Sequence, residues 1–141
     1  MNPKILVPVD GSTTSQKTIK AIIEQKERFP KQISLLHVVD IQLAYRMIPD
    51  FQLEMVRENA RKAGQVLLEK QAEPFREAGF DLQLLLELGS PREVIPRVAN
   101  DQDFQLLVIG RHPSTGEIRD VLFGSVANYV LHNVKCPVLL F

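Results

Sequence analysis

The sequence offers little for redox chemistry, for membrane insertion or for binding to a polyanion. Cys136 is the single cysteine among 141 residues, so no disulfide can form within the chain, and we expect this side chain to be a small buried filler. No apolar run approaches the roughly 18 residues that a transmembrane helix needs. Seventeen Lys and Arg residues balance 17 Asp and Glu residues. We therefore expect neither a nucleic-acid nor a membrane partner.

The residue sets that most often build metal and nucleophilic sites are also missing. The three histidines, His37, His112 and His132, lie 75 and 20 residues apart, with no Glu or Cys at ligand spacing. Neither a Gly-x4-Gly-Lys-Ser/Thr loop nor a Gly-x-Ser-x-Gly elbow occurs. A nucleophile with a general base cannot be assembled, so we do not expect an enzyme, and slow ATP hydrolysis is left open.

The length and the composition are those of one globular domain over residues 1–141. Hydrophobic residues make up 45% and charged residues 24% of the chain, enough to bury a core without disulfides. From Met1 the chain passes through one lysine directly into the apolar run Ile5 to Val9, which is too short a leader for a signal peptide. The expected location is the cytoplasm.

Short apolar runs alternate with helical patterns along the chain. The expected strands are Lys4 to Val9, Ile33 to Val39, Asp81 to Leu88, Phe104 to Ile109 and Pro137 to Phe141. The first expected helix runs from about Thr13 or Thr14 to Arg28, and the second runs from about Gln52 until Pro74 kinks or ends the pattern. The third starts at a capping box, Ser90 to Glu93, and contains Pro96, which should distort it. The last runs from Ser125 to about Asn133. Apolar strands alternating with helices predict an α/β fold with a doubly wound, open parallel sheet.

The segment from Ile41 to Phe51 breaks this alternation. It has no clear period, and Pro49 interrupts any helix. We expect a mobile loop that becomes ordered when a ligand or a second copy binds.

The fourth strand, the loop after it and the start of the last helix have the layout of a phosphate site. Gly110 ends the strand and can adopt positive φ or admit a ligand close to the backbone. Gly124 opens the next helical pattern, where the first-turn amides of Ser125 to Ala127 point outward with the positive end of the helix dipole. The alternative is that Gly110 merely ends a strand and that Gly124 and Ser125 merely cap a helix.

In a doubly wound sheet, ligands bind beyond the carboxyl ends of the strands where the strand order reverses. The first and fourth strands would flank this crevice, with Asp10 after one and Gly110 after the other. Asp10 can serve Mg2+ or a ribose hydroxyl, because a hard cation prefers carboxylate oxygens. The alternative is that Asp10 caps the first helix through an Asx turn.

Taken together, several segments of the chain resemble a single-domain universal stress protein over essentially its whole length. Each segment is weak alone, and their shared order and spacing are specific. They are Ile5 to Ser12, Leu35 to Val39, Gly89 to Pro91, Val108 to His112, Leu122 to Ala127 and Cys136 to Leu140. The resemblance implies a five-stranded sheet of order 3-2-1-4-5 with helices on both faces.

In the ATP-binding branch of this family, the resemblance further implies bound ATP or AMP, with or without Mg2+. The residues that would contact the nucleotide come from two strand ends, from the loop and from the last helix. They are Pro8, Val9, Asp10, Val38, Gly110, Arg111, His112, Pro113, Gly124, Ser125, Val126 and Ala127. Asp10 would also lie near the metal.

Two departures from the family motif bear on this expectation. The motif has a second glycine where this chain has Pro113, which offers no amide and fixes φ near about −65°. Ten residues, 114 to 123, separate Pro113 from Gly124, whereas the motif has nine. The longer loop costs only tenths of a kcal/mol in closure entropy.

We consider three functions for this chain. The first is an adenine-nucleotide-binding universal stress protein that acts as a stress-response sensor or regulatory module. The second is a nucleotide-free, homodimeric interaction module of the same fold, and the third is a small hydrolase or phosphotransfer enzyme. For either of the first two we expect a homodimer through the edge strand Val138 to Phe141, because a bare apolar edge invites aggregation.

Overall fold

The computed structural model describes residues 4–40, 49–110 and 124–141, and of Gly124 and Ser125 it describes the backbone alone. Strands and helices alternate along these ranges. The strands are β1 (Ile5–Pro8), β2 (Gln32–Val39), β3 (Asp81–Leu88), β4 (Leu106–Ile109) and β5 (Val138–Leu140). The α-helices are α1 (Thr13–Glu24), α2 (Asp50–Glu77), α3 (Pro91–Asp101) and α4 (Gly124–Asn133). A short 3-10 turn covers Lys26–Arg28.

The strands form one parallel sheet in the order β3-β2-β1-β4-β5. β1 is central, with Leu6 in register with Ser34 of β2 on one side and with Leu107 of β4 on the other. At one edge of the sheet Ile109 of β4 lies beside Leu140 of β5. The expected α/β class and the order 3-2-1-4-5 are confirmed. Because the chain winds from β1 to β3 and then returns to β4, the strand order reverses between β1 and β4.

Successive side chains of the strands point to opposite faces of the sheet, and helices cover both faces. On one face Val7 packs in a cluster with Ile22 of α1 and Phe75 of α2. On the other face Leu6 packs in a cluster with residues of α3 and with Val130 of α4. Burial of each side chain of this size stabilises the fold by about 1.5–3 kcal/mol. The expectation of helices on both faces is confirmed.

The first helix is shorter than expected. α1 ends at Glu24 instead of Arg28, and Gln25 leaves helical geometry with φ −109°. The 3-10 turn Lys26–Arg28 follows, and Pro30 ends it, since a residue before proline avoids the helical region and Phe29 is extended at φ −116° and ψ 150°.

The second helix begins earlier than expected. α2 starts at Asp50, so Asp50 and Phe51 belong to a helix and not to a loop. The helix can start there because Pro49 stands at its N-cap, where a missing amide costs nothing. The rest of the expected loop, residues 41–48, lies outside the described residues.

Pro74 does not end α2, which continues to Glu77. A proline inside a helix removes one hydrogen bond and crowds the preceding turn. Ala72 and Phe75 on either side of Pro74 are both 0% exposed, and Phe75 makes an edge contact with Phe80 at 5.5 Å between ring centroids. Burial of this segment therefore outweighs the local cost of Pro74.

The expected start of α3 is confirmed, but the expected capping hydrogen bond of the Ser90 side chain is absent. Ser90 is the N-cap and Pro91 takes the first helical position, yet the side chain of Ser90 makes no capping hydrogen bond. Instead the amide of Glu93 donates to the backbone oxygen of Ser90 at 3.1 Å. Pro96 is buried within the helix, which continues to Asp101. β1, β4 and β5 are shorter than expected, while β2 begins one residue earlier, at Gln32.

α2 approaches the sheet closely at Gly64. A Cβ added there would lie 2.5 Å from Val39 Cγ2 and 3.1 Å from Leu86 Cδ1. The absence of a side chain at this position thus lets the helix lie directly on β2 and β3. Within the described residues, no helix combines the length and the apolar character needed to cross a membrane.

Candidate functional site

A cleft of about 260 Å3 lies beyond the carboxyl ends of β1 and β4, and we call it the carboxyl-edge cleft. The expected site residues that line it come from four elements of the chain. They are Pro8, Val9, Asp10, Val38, Gly110, Val126 and Ala127. Arg111, His112 and Pro113 lie outside the described residues, and at Gly124 and Ser125 only the backbone is described. A nucleotide contact at these five residues stays a prediction, as it does at the residues that line the cleft.

Further lining residues form two contrasting walls. An apolar wall comes from β2, β4, α3 and α4 and consists of Leu36, Ile109, Pro91, Ile95 and Val130. A hydroxyl-bearing wall comes from the start of α1 and consists of Ser12, Thr14, Ser15 and Thr18. Sequence reasoning missed both sets. Strand alternation from Val38 would have found Leu36, whereas the α1 hydroxyls carry no recognisable motif.

The turn from β1 into α1 is fixed by three short hydrogen bonds. The amide of Ser12 donates to Asp10 Oδ1 at 2.9 Å, the amide of Ser15 donates to Ser12 Oγ at 3.1 Å, and the amide of Asp10 is 3.2 Å from Ser15 Oγ. Gly11 supplies the positive φ of 78° that the turn needs. Asp10 therefore forms an Asx turn, but the cap of α1 is Ser12 and not Asp10.

Asp10 is exposed and is the one charged side chain among the described residues that line the cleft. Its Oδ1 accepts the Ser12 amide, which leaves Oδ2 for a solvent-side ligand. In the part of the chain that the structure describes, no group of three His, Cys, Asp or Glu residues can hold a metal ion. A Mg2+ ion at Asp10 would therefore need its remaining ligands from water and from a bound nucleotide.

Gly110 is in close contact with α1. Its φ is not in the positive region, and the side chains of α1 approach its backbone. A Cβ added at Gly110 would overlap Thr18 Oγ1 and lie 2.9 Å from Thr14 Cγ2. Thr18 is held there because its hydroxyl donates to the Thr14 carbonyl at 2.9 Å. Gly110 thus allows α1 to close one side of the cleft.

His37 belongs to the frame of the site and does not line the cleft. Its Nδ1 lies 2.9 Å from the carbonyl oxygen of Val9, and because a carbonyl can only accept, Nδ1 carries the proton. The ring is close to Gly64 of α2, on the face of β2 opposite to Val38. His37 is thus a strand-end histidine whose ring has a hydrogen-bond partner.

Cys136 packs against the cluster under α3 and α4, but it is half-buried and not fully buried as expected. Burial raises the pKa of the Cys136 thiol, although a backbone hydrogen bond opposes the change. Little thiolate therefore forms at neutral pH, which suits the expected role of a filler.

Comparison with known proteins identifies the family to which this chain belongs. The family model described as "Universal stress protein family" matches residues 1–141, and the chain belongs to that family. It is 30% identical to universal stress protein MJ0531 of Methanocaldococcus jannaschii over 97% of this chain and 80% of the relative.

Two solved structures extend the comparison. MJ0577 of Methanocaldococcus jannaschii is 27% identical, with a TM-score of 0.77 over 99% of this chain and 95% of that one. A universal stress protein family protein of Arabidopsis thaliana, solved with AMP bound, is 23% identical, with a TM-score of 0.68 over 99% of this chain and 90% of that one. At this identity the second likeness shows the fold alone.

The contact between Gly110 and α1 predicts the effect of adding one methyl group. Gly110→Ala should destabilise the protein by about 1–3 kcal/mol, because Thr14 and Thr18 are β-branched and cannot easily yield. The measurement is urea unfolding followed by circular dichroism. In a Thr18→Ala background, which removes the overlapping hydroxyl, the cost of Gly110→Ala should fall. An unchanged or raised stability for Gly110→Ala would contradict the close approach of α1.

Proposed function

We propose that this chain binds an adenine nucleotide, ATP or AMP, in the carboxyl-edge cleft and acts as a stress-response sensor or regulatory module. The observation that carries the proposal is the cleft itself, which lies where the strand order reverses and has one apolar and one hydroxyl-bearing wall. Ligand sites of α/β sheets occur at this position and are lined in this mixed way. AMP in the related plant protein is consistent with it.

The two walls suggest how the nucleotide lies. A purine is flat and largely apolar, which suits the surface of Val38, Pro91 and Ile95. The phosphates are anionic and suit the first turn of α4, where Val126 and Ala127 line the cleft and the helix dipole is positive. Asp10 is placed for a ribose hydroxyl or for a Mg2+ ion that the phosphates share.

We further propose a binding role and not a catalytic one. Catalysis of phosphate transfer depends on cations and on a residue that positions the attacking group. In the described lining Asp10 is the one charged side chain, so these residues supply no cation for a transferred phosphate. Phosphate turnover by the purified protein near the rate of the uncatalysed reaction is the expected result.

A nucleotide-free interaction module is the second candidate, and Pro113 favours it. Proline at this position removes one amide that the family motif supplies. The α4 amides are independent of Pro113, which is why nucleotide binding remains the leading proposal.

Opposite charges placed at one position of the cleft test the proposal. Val126 lines the cleft and is 38% exposed, so it should accept either Glu or Lys without loss of the fold. Val126→Glu should weaken ATP binding at least about tenfold, or about 1.4 kcal/mol. Val126→Lys should leave it unchanged or tighter. Calorimetric titration of protein stripped of bound ligand provides the affinities.

Adenosine serves as the control for shape in this experiment. Both substitutions enlarge the side chain, so any steric effect is shared, and the ratio of the Lys to the Glu affinity reports charge. That ratio should be large for ATP and close to one for adenosine. If the folded parent binds none of ATP, ADP, AMP and adenosine, the proposal fails and the nucleotide-free module becomes the better account.

The outer edge of β5, which pairs with no other strand of the described sheet, supports the proposal of a homodimer. β5 hydrogen-bonds to β4 on one side and is the terminal strand of the described sheet. Leu139 at its centre is 37% exposed, and Phe141 contacts Phe29 at 6.5 Å between ring centroids. An apolar strand edge of this kind is suited to pairing with a second copy across a two-fold axis.

Two matched substitutions test the dimer. Leu139→Asp places a charge in the centre of β5 and should convert the dimer to a monomer at tens of micromolar. Phe51→Asp changes a side chain of α2 that is 82% exposed and should leave the dimer intact. Sedimentation equilibrium measures both. A parent that is monomeric at this concentration, or a dimer lost only in Phe51→Asp, would exclude the β5 interface.

A further inference from the structure

Arg92 in the first turn of α3 differs from the other arginines that the structure describes. Arg57, Arg61, Arg76 and Arg97 each lie within 4.0 Å of a glutamate carboxylate. Arg28 is hydrogen-bonded to Gln25. Arg92 has no carboxylate within that distance among the described residues, and its guanidinium faces the ring of Tyr129 at 4.6 Å from the ring centroid.

The contact between Arg92 and Tyr129 joins α3 to α4 beside the carboxyl-edge cleft. Arg92 is three residues before Ile95 on α3, and Tyr129 is three residues after Val126 on α4, so each is the helix-face neighbour of a residue that lines the cleft. The guanidinium thus lies next to the cleft lining without being part of it. Sequence patterns did not single out this position.

The described lining of the cleft has one negative charge, so a positive charge beside it would favour an anionic ligand. The one charged side chain in the described lining is the carboxylate of Asp10, which repels phosphate. A nucleotide that brings several negative charges gains from a guanidinium at the rim, since Arg offers paired N–H donors that match phosphate oxygens. The stacking on Tyr129 is weak at an exposed site and can be exchanged for such a contact.

We propose that Arg92 is a phosphate-binding residue of the carboxyl-edge cleft, and that it favours nucleotides with longer phosphate chains over adenosine. The inference rests on the proposed nucleotide-binding function, and it adds a residue from α3 to a site whose anion contacts otherwise come from α4. Tyr129 acts as a positioning residue, because it keeps the guanidinium beside the cleft in the absence of ligand.

The experiment is calorimetric titration of ATP, AMP and adenosine into the parent and three variants. Arg92→Met keeps the length of the side chain and removes its charge, and should weaken ATP binding about tenfold, AMP less, and adenosine not at all. Arg92→Lys retains the charge and should keep most of the ATP affinity. Arg97→Met, in the same helix, loses an exposed ion pair with Glu87 and should bind all three like the parent.

Two further readouts separate a phosphate contact from a structural role. The ATP affinity of the parent should fall more steeply with added salt than that of Arg92→Met, because one ionic contact is missing in the variant. Thermal unfolding without ligand should be nearly the same for Arg92→Met and Arg97→Met, since both side chains are exposed.

The outcomes are distinct. If the parent binds ATP and Arg92→Met binds it equally well, the assignment of Arg92 is wrong and the proposed function stands. If adenosine affinity falls as much as ATP affinity, Arg92 stacks on the base and the phosphate assignment is also wrong. If the parent binds no nucleotide, the proposed function fails, and the assignment of Arg92 fails with it.

Discussion

The hydrogen-bonded position of β1 between β2 and β4 is the constraint on which the rest of the structure depends. β1 is only four residues long, Ile5–Pro8, but it is paired on both edges, and its side chains belong to both apolar clusters. Because the strands are parallel, each connection must cross a face of the sheet through a helix. The reversal of strand order next to β1 then leaves one opening at the carboxyl edge, and the cleft is this opening.

The cleft is shaped by backbone contacts more than by long polar side chains. Gly110 lets α1 approach the end of β4, and the turn formed by Asp10, Ser12 and Ser15 fixes where α1 begins. At the ends of α3 and α4 far from the cleft, the side chain of Asn100 donates to the Asn133 carbonyl and accepts from the Lys135 amide, which fixes these two helices to each other. The turn that begins α1 is held before any ligand binds, which reduces the entropy that binding must overcome.

Much of the fold was predictable because it rests on local patterns. Apolar strands and capped helices repeat in a fixed alternation, and β3 lies where the alternation put it, at Asp81–Leu88. The errors occur where tertiary packing overrides local preference. The continuation of α2 through Pro74 depends on the burial of Phe75, and that contact with the sheet cannot be read from the residues around the proline.

The location of the site was predictable from the sequence, whereas the contacts that shape it were not. The sequence pointed to Asp10 and Gly110 because glycine and aspartate after a strand are typical of ligand turns, and the structure places both at the cleft. It gave no reason to connect Gly110 with Thr18, since that contact joins residues far apart in the chain. Arg92 escaped notice for the same reason, as its relation to Tyr129 exists only after α3 and α4 pack together.

The central claim is that a nucleotide binds at the carboxyl edge of the sheet, and amide chemical shifts test it most directly. Unlabelled AMP would be added to 15N-labelled protein that has been stripped of bound ligand. The account predicts shifts for the amides of Asp10, Val38 and Ala127, with no change for Gln32 and Asp81 at the amino ends of β2 and β3. Shifts confined to Gln32 and Asp81, or none at saturating AMP, would contradict it.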